Sequence, residues 1–230
     1  MHKTAIVFGA TGLTGKELVF ELLEDARFEK VKAVVRQNLT LSHPKLEQII
    51  VRDFILLDQQ RQQFTGDVFF CCIGTTIKKA GSQAAFLKID LDIPIAIATL
   101  ALVLSVPSLV VISSIGASAE SSNFYLQTKG IMEQQVAQVY SGNLKFVRPS
   151  FLLGSRSEFR IGEKIAAVLA PLVSIFLMGS LRKYHAIHSW DVARGMINAS
   201  EMPKDKSIIE SDELQALADK THKPKHKAWL

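Results

Sequence analysis

Cysteine is scarce in this chain, and its two cysteines, Cys71 and Cys72, are adjacent. Adjacent cysteines strain the geometry of a disulfide bond, and both lie in the apolar run V-F-F-C-C-I at residues 68–73. We therefore expect buried, reduced thiols rather than a disulfide framework, as is typical of a reducing compartment. Residues 1–3 lead directly into an apolar strand pattern without a signal peptide, so the sequence predicts a cytoplasmic location.

The sequence also lacks an apolar run with the length and continuity of a membrane span. Residues 93–112 carry no charged side chain, but Pro107 divides them into a helical pattern and a strand pattern. A second apolar run, residues 165–178, contains Pro171 and is shorter than the roughly 20 residues of a transmembrane helix. We predict no membrane span and assign both runs to the core. If residues 165–178 were exposed, they would form a surface for a protein partner or a homodimer.

Basic residues are not distributed as nucleic-acid binding requires. Of the net charge of +5, four units come from Lys220, Lys223, Lys225 and Lys227 in residues 220–230, which contain no carboxylate. The rest of the chain therefore has a net charge of only +1 and presents no basic face with interleaved aromatic residues. We predict no nucleic-acid partner and a disordered basic tail at residues 220–230.

Histidine, cysteine and carboxylate residues do not occur at metal-ligand spacing. Of the six histidines, His185 and His188 lie three residues apart and the other four are scattered. No cysteine or carboxylate spacing completes a ligand set around them. We predict no metal site.

What the chain contains is a regular alternation of strand and helix patterns. Strand patterns occur at residues 4–8, 31–35, 46–51, 68–73, 109–113, 145–148 and 207–210. Helical patterns occur at residues 14–24, 59–64, 82–104, 123–140, 162–177, 189–199 (with Ser189 as its N-cap) and 212–219. Apolar strands that alternate with helices predict an α/β fold, a doubly wound parallel sheet or Rossmann fold. We expect one domain at residues 1–219, in which residues 149–219 form a small substrate-side portion.

The most informative segment is F-G-A-T-G-L-T-G-K-E at residues 8–17, between the first strand pattern and the first helix pattern. It places Gly9, Gly12 and Gly15 three residues apart. Gly9 permits a tight turn, Gly12 lets the backbone approach a pyrophosphate, and Gly15 lets the helix pack on the strand. The helix N-terminus offers free N–H groups and a partial positive charge to phosphates. A strand, a glycine turn and a helix in this order predict a dinucleotide-binding site.

The end of the second strand indicates which dinucleotide is bound. At this position an acidic residue holds the adenosine ribose 2′-hydroxyl of NAD, whereas a nearby arginine suits the 2′-phosphate of NADP. Here the strand ends A-V-V-R-Q-N, with Arg36 and no carboxylate. We therefore predict NADP(H) rather than NAD(H). Asp53, just after the third strand, is placed to approach the adenine, and capping of its own loop is the alternative.

A serine, a tyrosine and a lysine form a candidate proton-transfer set. Ser114 stands at the end of the fifth strand, and Tyr125 and Lys129 follow in the sequence Y-L-Q-T-K. Tyrosine and lysine at i and i+4 share one helix face, and the carboxyl end of a parallel strand borders the ligand crevice. Lys129 would hold the nicotinamide ribose and favour the Tyr125 phenolate, and Tyr125 would transfer a proton to or from the substrate oxygen. Ser114, with Ser113 as the alternative, would hold that oxygen by a hydrogen bond.

Several motifs together resemble a known family. They are G-A-T-G-L-T-G at residues 9–15, C-I-G-T-T at 72–76, K-A-G at 79–81, S-S-N-F at 121–124, Y-L-Q-T-K-G at 125–130 and R-P-S-F-L-L-G at 148–154. On these motifs the chain resembles the atypical branch of the short-chain dehydrogenase/reductase superfamily. Within that branch it is similar to the Tat-interacting oxidoreductase group, the CC3 metastasis-suppressor-like proteins, and their bacterial relatives. The resemblance extends to about residue 154, is thinner to residue 219 and is absent from the basic tail.

The resemblance implies which residues contact NADP(H). Arg36 would contact the 2′-phosphate, and the pyrophosphate would be held by Gly9, Thr11, Gly12, Leu13, Thr14 and Gly15. Cys72, Gly74 and Thr75 would flank the cofactor where the superfamily usually has an Asn-Ala-Gly-like turn. Pro149 and Phe151, after the sixth strand, would line the nicotinamide side. Asp90 stands where the superfamily's helix asparagine is expected, which leaves the usual proton relay without its asparagine.

The sequence therefore predicts an NADP(H)-dependent oxidoreductase that acts on a small carbonyl or alcohol substrate. The alternative is an NADP(H)-binding sensor that controls a protein partner without turnover. The serine, tyrosine and lysine favour the enzyme, and the missing asparagine favours the sensor.

Overall fold

The computed structural model describes residues 2–54, 57–153 and 183–220. The first elements are β1 (Lys3–Phe8), α1 (Leu13–Glu24), β2 (Phe28–Val35), β3 (Leu46–Ile50), a 3₁₀ helix (Asp58–Phe64) and β4 (Val68–Cys71). There follow α2 (Ile77–Ala80), α3 (Gln83–Leu87), a π-helical turn (Lys88–Asp92), α4 (Ile93–Val103), β5 (Ser108–Ile112), α5 (Phe124–Val139) and β6 (Asn143–Arg148). The last elements are β7 (Leu152–Leu153), β8 (Ile187–His188), α6 (Ser189–Ser200), β9 (Ile208–Glu210) and α7 (Ser211–Asp219).

The central sheet of the described residues contains seven strands in the order β3-β2-β1-β4-β5-β6-β9, and all neighbouring strands are parallel. The chain winds outward from β1 in one direction to β3 and then in the other direction from β4 to β9. This arrangement confirms the predicted doubly wound Rossmann fold. The order reverses between β1 and β4, and in such sheets ligands bind outside the carboxyl ends of the strands at that point.

Apolar side chains cover both faces of this sheet. One core packs α1 and α6 against residues such as Val7 and Val110, and the other packs α4 and α5 against residues such as Phe69 and Val111. Val110 and Val111 are neighbours in β5 and face opposite sides, as the pleat of a strand requires. Burial on both faces explains why the strands read as nearly continuous apolar runs.

The single helix predicted over residues 82–104 is instead divided into α3, the π-helical turn and α4. Pro94, in the first turn of α4, gives the physical reason. Proline has no N–H to donate, and in a regular α-helix its ring would clash with the carbonyl group four residues earlier, which belongs to Asp90. Widening the backbone into a π turn relieves this clash and reorients the segment that contains Asp90.

The C-terminal part corrects one expectation and adds a pair of short strands. Ser189 is the first residue of α6 rather than its N-cap, which is His188, and no side chain caps this helix. Strands β7 and β8, which form a separate parallel pair, were not predicted. The predicted helix at residues 162–177, the apolar run at 165–178 and the tail beyond Lys220 lie outside the described residues.

Both cysteines are free thiols, as predicted. Burial raises the pKa of Cys71 to about 11 and raises the pKa of Cys72 well above its ordinary value. Thiols of this kind are protonated and unreactive near neutral pH. Within the ranges that the structure describes, no helix is long and apolar enough to cross a membrane. The same ranges contain no group of three or more His, Cys, Asp or Glu residues that could hold a metal ion.

Candidate active site

The glycine turn lies at the carboxyl end of β1, against the end of β4. The backbone of Gly9 has φ +80°, and the Gly12 N–H donates a hydrogen bond of 2.9 Å to the Gly9 carbonyl oxygen. A Cβ atom on Gly9 would lie 2.7 Å from the carbonyl oxygen of Cys72, and one on Gly15 would lie 2.1 Å from that of Gly9. Only glycine fits at these two positions, because the backbone atoms that a methyl group would meet cannot rotate away.

The first turn of α1 leaves its amide groups open to an anion. Gly12 is the N-cap and supplies no capping side chain, and the first turn contains no acidic residue. The helix cannot bond its own first N–H groups, and these belong here to Leu13, Thr14 and Gly15. Thr11 and Gly12 are exposed beside them. This turn of residues 9–15, here called the glycine cradle, offers amides without a capping side chain and therefore fits a dinucleotide pyrophosphate.

Two arginines follow the carboxyl ends of neighbouring strands, at the edge of the sheet where the glycine turn lies. Arg36 follows β2, and Arg52 lies just after β3, where the Val51 N–H donates a 2.8 Å hydrogen bond to the Val35 carbonyl oxygen. Both arginines are exposed, as is Asp53. Arg52 was not predicted, although its place just after the strand that neighbours β2 is a signal that could have identified it.

The turn after β4 forms the middle of the site. The Cys72 N–H donates to the Phe8 carbonyl oxygen at 2.9 Å and so joins this turn to β1. Gly74 is exposed, and a Cβ atom built on it would lie 3.4 Å from Asp90 Oδ1 and 3.8 Å from Lys129 Nζ. The Thr75 N–H donates a 2.8 Å hydrogen bond to Asp90 Oδ2. The turn that was predicted to flank the cofactor therefore covers Asp90 and Lys129 directly.

Helix α5 positions Tyr125 and Lys129 on one face. Its N-cap is Asn123, whose side-chain oxygen accepts a 3.2 Å hydrogen bond from the Leu126 N–H. Tyr125 is half-buried, with its ring centroid 5.8 Å from that of Phe86. One turn later Lys129 is only 2% exposed, and its Nζ lies 2.8 Å from Asp90 Oδ1. The tyrosine is thus accessible from the crevice, whereas the lysine lies beneath it.

The Lys129–Asp90 ion pair was not expected. Asp90 is completely buried, and a buried carboxylate requires a charged or hydrogen-bonding partner. Burial alone would lower the pKa of Lys129, but Asp90, with smaller contributions from Tyr125 and Cys71, raises it above its ordinary value. Lys129 is therefore an ammonium ion at neutral pH, balanced by Asp90. The sequence identified the position of Asp90 but not the contact, which joins residues 39 positions apart.

The two candidate serines follow β5. Ser113 continues the strand pairing through its N–H to the Val147 carbonyl oxygen at 2.8 Å, and its buried hydroxyl has no hydrogen-bond partner among the residues that the structure describes. The Ser114 hydroxyl is half-buried and contacts only weakly, at 3.4 Å, the Ile115 carbonyl oxygen. Both hydroxyls are therefore able to take a new acceptor or donor. Pro149, which is buried, accepts a 3.1 Å hydrogen bond from the Ile115 N–H and fixes this loop beside β6.

Three further residues with aromatic rings lie beyond β6, of which only Phe151 was predicted to line the cofactor site. Phe151 is 46% exposed, as expected for a residue that lines an open side of the crevice. His188 and Trp190 stack with their ring centroids 4.0 Å apart at the start of α6.

A parallel sheet in this order, a glycine cradle after β1 and a Tyr-x-x-x-Lys face on the helix after β5 define the class of this protein. It has the Rossmann fold of the short-chain dehydrogenase/reductase superfamily, in its atypical branch.

Comparison with known proteins assigns the chain to a family within this class. It is 38% identical to protein HTATIP2 of Rattus norvegicus over 169 residues, which cover 72% of this chain and 69% of that protein. It is 31% identical to protein FMP52 of Eremothecium gossypii over 220 residues, 93% of this chain and 96% of that protein. The chain belongs to the family of the HTATIP2 and FMP52 proteins. No protein-family model matches it.

Solved structures share the fold at low sequence identity. The Bordetella bronchiseptica enzyme WbmG in complex with NAD superposes with a TM-score of 0.67 at 11% identity, over 96% of this chain and 78% of that chain. At this identity the likeness concerns the fold alone.

The family corrects one prediction. The expectation of a cytoplasmic location is wrong, because the FMP52 relatives are named as mitochondrial proteins. The physical reason is that reduced thiols report reducing surroundings and do not distinguish one such compartment from another.

Proposed function

We propose that this chain is an NADP(H)-dependent oxidoreductase that interconverts a carbonyl and an alcohol on a small-molecule substrate. The observation that carries the proposal is the position of Tyr125 and Lys129. They share one face of α5, and Lys129 lies under the Gly74–Thr75 turn, at the same edge of the sheet as the glycine cradle. A proton donor thus stands at one end of a crevice whose other end fits a pyrophosphate.

The cofactor and the protein would divide the chemistry between them. When bound, NADPH supplies a hydride to the carbonyl carbon and is left oxidised, while the carbonyl oxygen takes a proton from the protein. Tyr125 is the group placed to give this proton, because general acids must reach the substrate from the crevice and Tyr125 is half-buried there. Ser114 or Ser113 would orient the oxygen by a hydrogen bond, and Lys129 would hold the nicotinamide ribose.

The preference for NADP(H) rests on Arg36 and Arg52 and on the absence of a carboxylate at the end of β2. A guanidinium group binds phosphate oxygens by charge-assisted hydrogen bonds. The 2′-phosphate, which NAD(H) lacks, would lie between the ends of β2 and β3. Asp53, next to Arg52, would approach the adenine.

We expect Arg36→Ala to remove the preference for NADPH over NADH. A hydrogen bond to a charged group contributes about 1.5–3 kcal/mol, so the NADPH affinity should fall by about tenfold or more. NADH affinity should be almost unchanged, and Arg52→Ala should act in the same direction. Titration of each variant with both nucleotides, followed by fluorescence, measures the effect.

Arg61→Ala is the matched control. Arg61 is an exposed arginine on the 3₁₀ helix that leads into the amino end of β4, and its carboxylate neighbour is Asp58 at 3.7 Å. Arg61→Ala should leave the affinities for NADPH and NADH unchanged. Equal affinities of the unaltered protein for NADPH and NADH would contradict the assignment of NADP(H).

The second candidate function is an NADP(H) sensor that controls a protein partner. The observation that favours it is the ion pair between Asp90 and Lys129, in which the carboxylate balances the charge of the ammonium group. A sensor would bind NADPH at the same residues but would convert no carbonyl. Turnover, rather than binding, separates the two functions.

A further inference from the structure

We propose that Asp90 is a positioning residue that acts through Lys129: it fixes the ammonium under the Gly74–Thr75 turn and balances its charge, which limits the pull of this ammonium on the hydroxyl of Tyr125. The inference deepens the proposed function and rests on it, because Tyr125 is the proposed proton donor to the carbonyl.

Each carboxylate oxygen of Asp90 contacts a different partner. Oδ1 lies 2.8 Å from Lys129 Nζ, and Oδ2 accepts the Thr75 N–H at 2.8 Å. Asp90 therefore connects the helix that bears Tyr125 to the turn that borders the cofactor. Neither end of the pair reaches solvent, since Asp90 is fully buried and Lys129 is 2% exposed.

The backbone holds Asp90 in this orientation. It lies at the centre of the π-helical turn, and Pro94 prevents the regular helix that would otherwise continue through this segment. π turns are frequent at functional sites because they redirect a side chain without ending the helix. An aspartate that is followed four residues later by a proline is thus oriented by its local backbone.

Charge balance is the consequence for Tyr125. The titratable groups that act on Lys129 are Asp90 from the π turn, Cys71 from β4 and Tyr125 from its own helix. Burial raises the pKa of Cys71 to about 11, so this thiol is neutral in the working range. A bare ammonium ion would stabilise a nearby phenolate, and the carboxylate of Asp90 opposes this effect. In the reductive direction the O–H bond of Tyr125 breaks and an O–H bond forms at the substrate oxygen.

Asp90→Asn tests the role of this charge. The variant keeps the shape of the side chain and an oxygen for the Thr75 N–H, but it removes the negative charge. In the pH profile of NADPH-dependent carbonyl reduction, the alkaline limb should move to lower pH by about one unit or more. If Asp90 had a purely structural role, D90N would be slower at every pH and the alkaline limb of its pH profile would stay in place.

A second measurement needs no turnover. Tyrosinate absorbance is followed during an alkaline titration of the cofactor-free protein, and the signal of the matching Tyr125→Phe variant is subtracted. The chain has three tyrosines: burial raises the pKa of Tyr140 to about 12, and Tyr184, which is 49% exposed, cancels in the subtraction. The midpoint of the remaining signal should be lower in D90N than in the unaltered protein.

Controls separate charge from shape. Asp92→Asn removes an exposed carboxylate of the same π turn and should leave the midpoint in place, and Asp90→Glu should keep it near its original value. If D90N does not fold, D90N/K129M removes both charges of the pair together, and its midpoint should lie near that of the unaltered protein; a clearly lower midpoint would contradict the charge balance. An unmoved tyrosinate midpoint in D90N overturns the role of Asp90. A lower midpoint in D90N without any carbonyl turnover supports that role and overturns the proposed function alone.

Discussion

Tyr125→Phe is expected to abolish carbonyl turnover while NADPH still binds. The substitution removes the hydroxyl that would give its proton to the substrate oxygen, and positioned general acids contribute about 10²–10⁴-fold to a rate. The phenylalanine ring can keep the contact with Phe86, whose ring centroid lies 5.8 Å from that of Tyr125. We therefore expect kcat to fall by at least about 100-fold with little change in cofactor affinity. Steady-state assays over a panel of aldehydes and ketones, with parallel NADPH titrations, measure both quantities.

Tyr184→Phe is the control for this experiment, because Tyr184 is exposed and lies outside the proposed set. It should retain full activity. Residual turnover in Y125F close to that of the unaltered protein would contradict the role of Tyr125. Tight NADPH binding by both proteins without conversion of any carbonyl would favour the sensor.

Gly9→Ala is expected to have the largest effect on nucleotide binding. Its Cβ atom would lie 2.7 Å from the Cys72 carbonyl oxygen and 2.8 Å from the Cys72 carbonyl carbon. Such an overlap with backbone can be relieved only by separating β1 from β4, which opens the cradle. We expect NADPH affinity to fall at least about 100-fold, roughly 2.7 kcal/mol, together with a marked loss of thermal stability.

Gly81→Ala provides a matched control for backbone strain. Gly81 has φ +85°, close to the +80° of Gly9, but no atom lies within 4 Å of the position of its Cβ atom. Alanine at both sites incurs the cost of left-handed backbone, about 1–2 kcal/mol, whereas only Gly9 adds the overlap. Thermal unfolding and NADPH titration of both variants separate the cost of the left-handed backbone from the cost of the overlap with Cys72. Equal losses in G9A and G81A would show that the contact between the glycine turn and β4 is unimportant.

The sheet and the glycine cradle were predictable because their signals are local. Apolar runs bounded by turns indicate buried parallel strands, and the three glycines directly follow one of them. Strand β2 was predicted to begin at Val31, but it begins at Phe28. Phe28 and Lys30 pair with β1, and the polar residues of this segment show no apolar pattern by which a strand could be recognised. Here the hydrogen bonds to a neighbouring strand decide the boundary.

The electrostatics of the site were not predictable, because they depend on contacts between distant segments. The Asp90–Lys129 pair joins a π turn to α5, and Arg36 and Arg52 come to the same edge of the sheet only because β2 pairs with β3. A helical pattern also conceals the π turn, although Pro94 after Asp90 is a local signal of an interrupted helix. In the same way, the serine that begins α6 resembles an N-cap in sequence, whereas the structure gives that position to His188.

The most direct test of the account uses NADPH that carries deuterium at the transferable position of the nicotinamide. The protein is incubated with this cofactor and the carbonyl panel, and the alcohols formed are analysed by mass spectrometry. The account predicts one deuterium on the carbinol carbon of at least one product, and no labelled product from Y125F. NADPH that binds with high affinity but transfers deuterium to no carbonyl would contradict the proposed oxidoreductase.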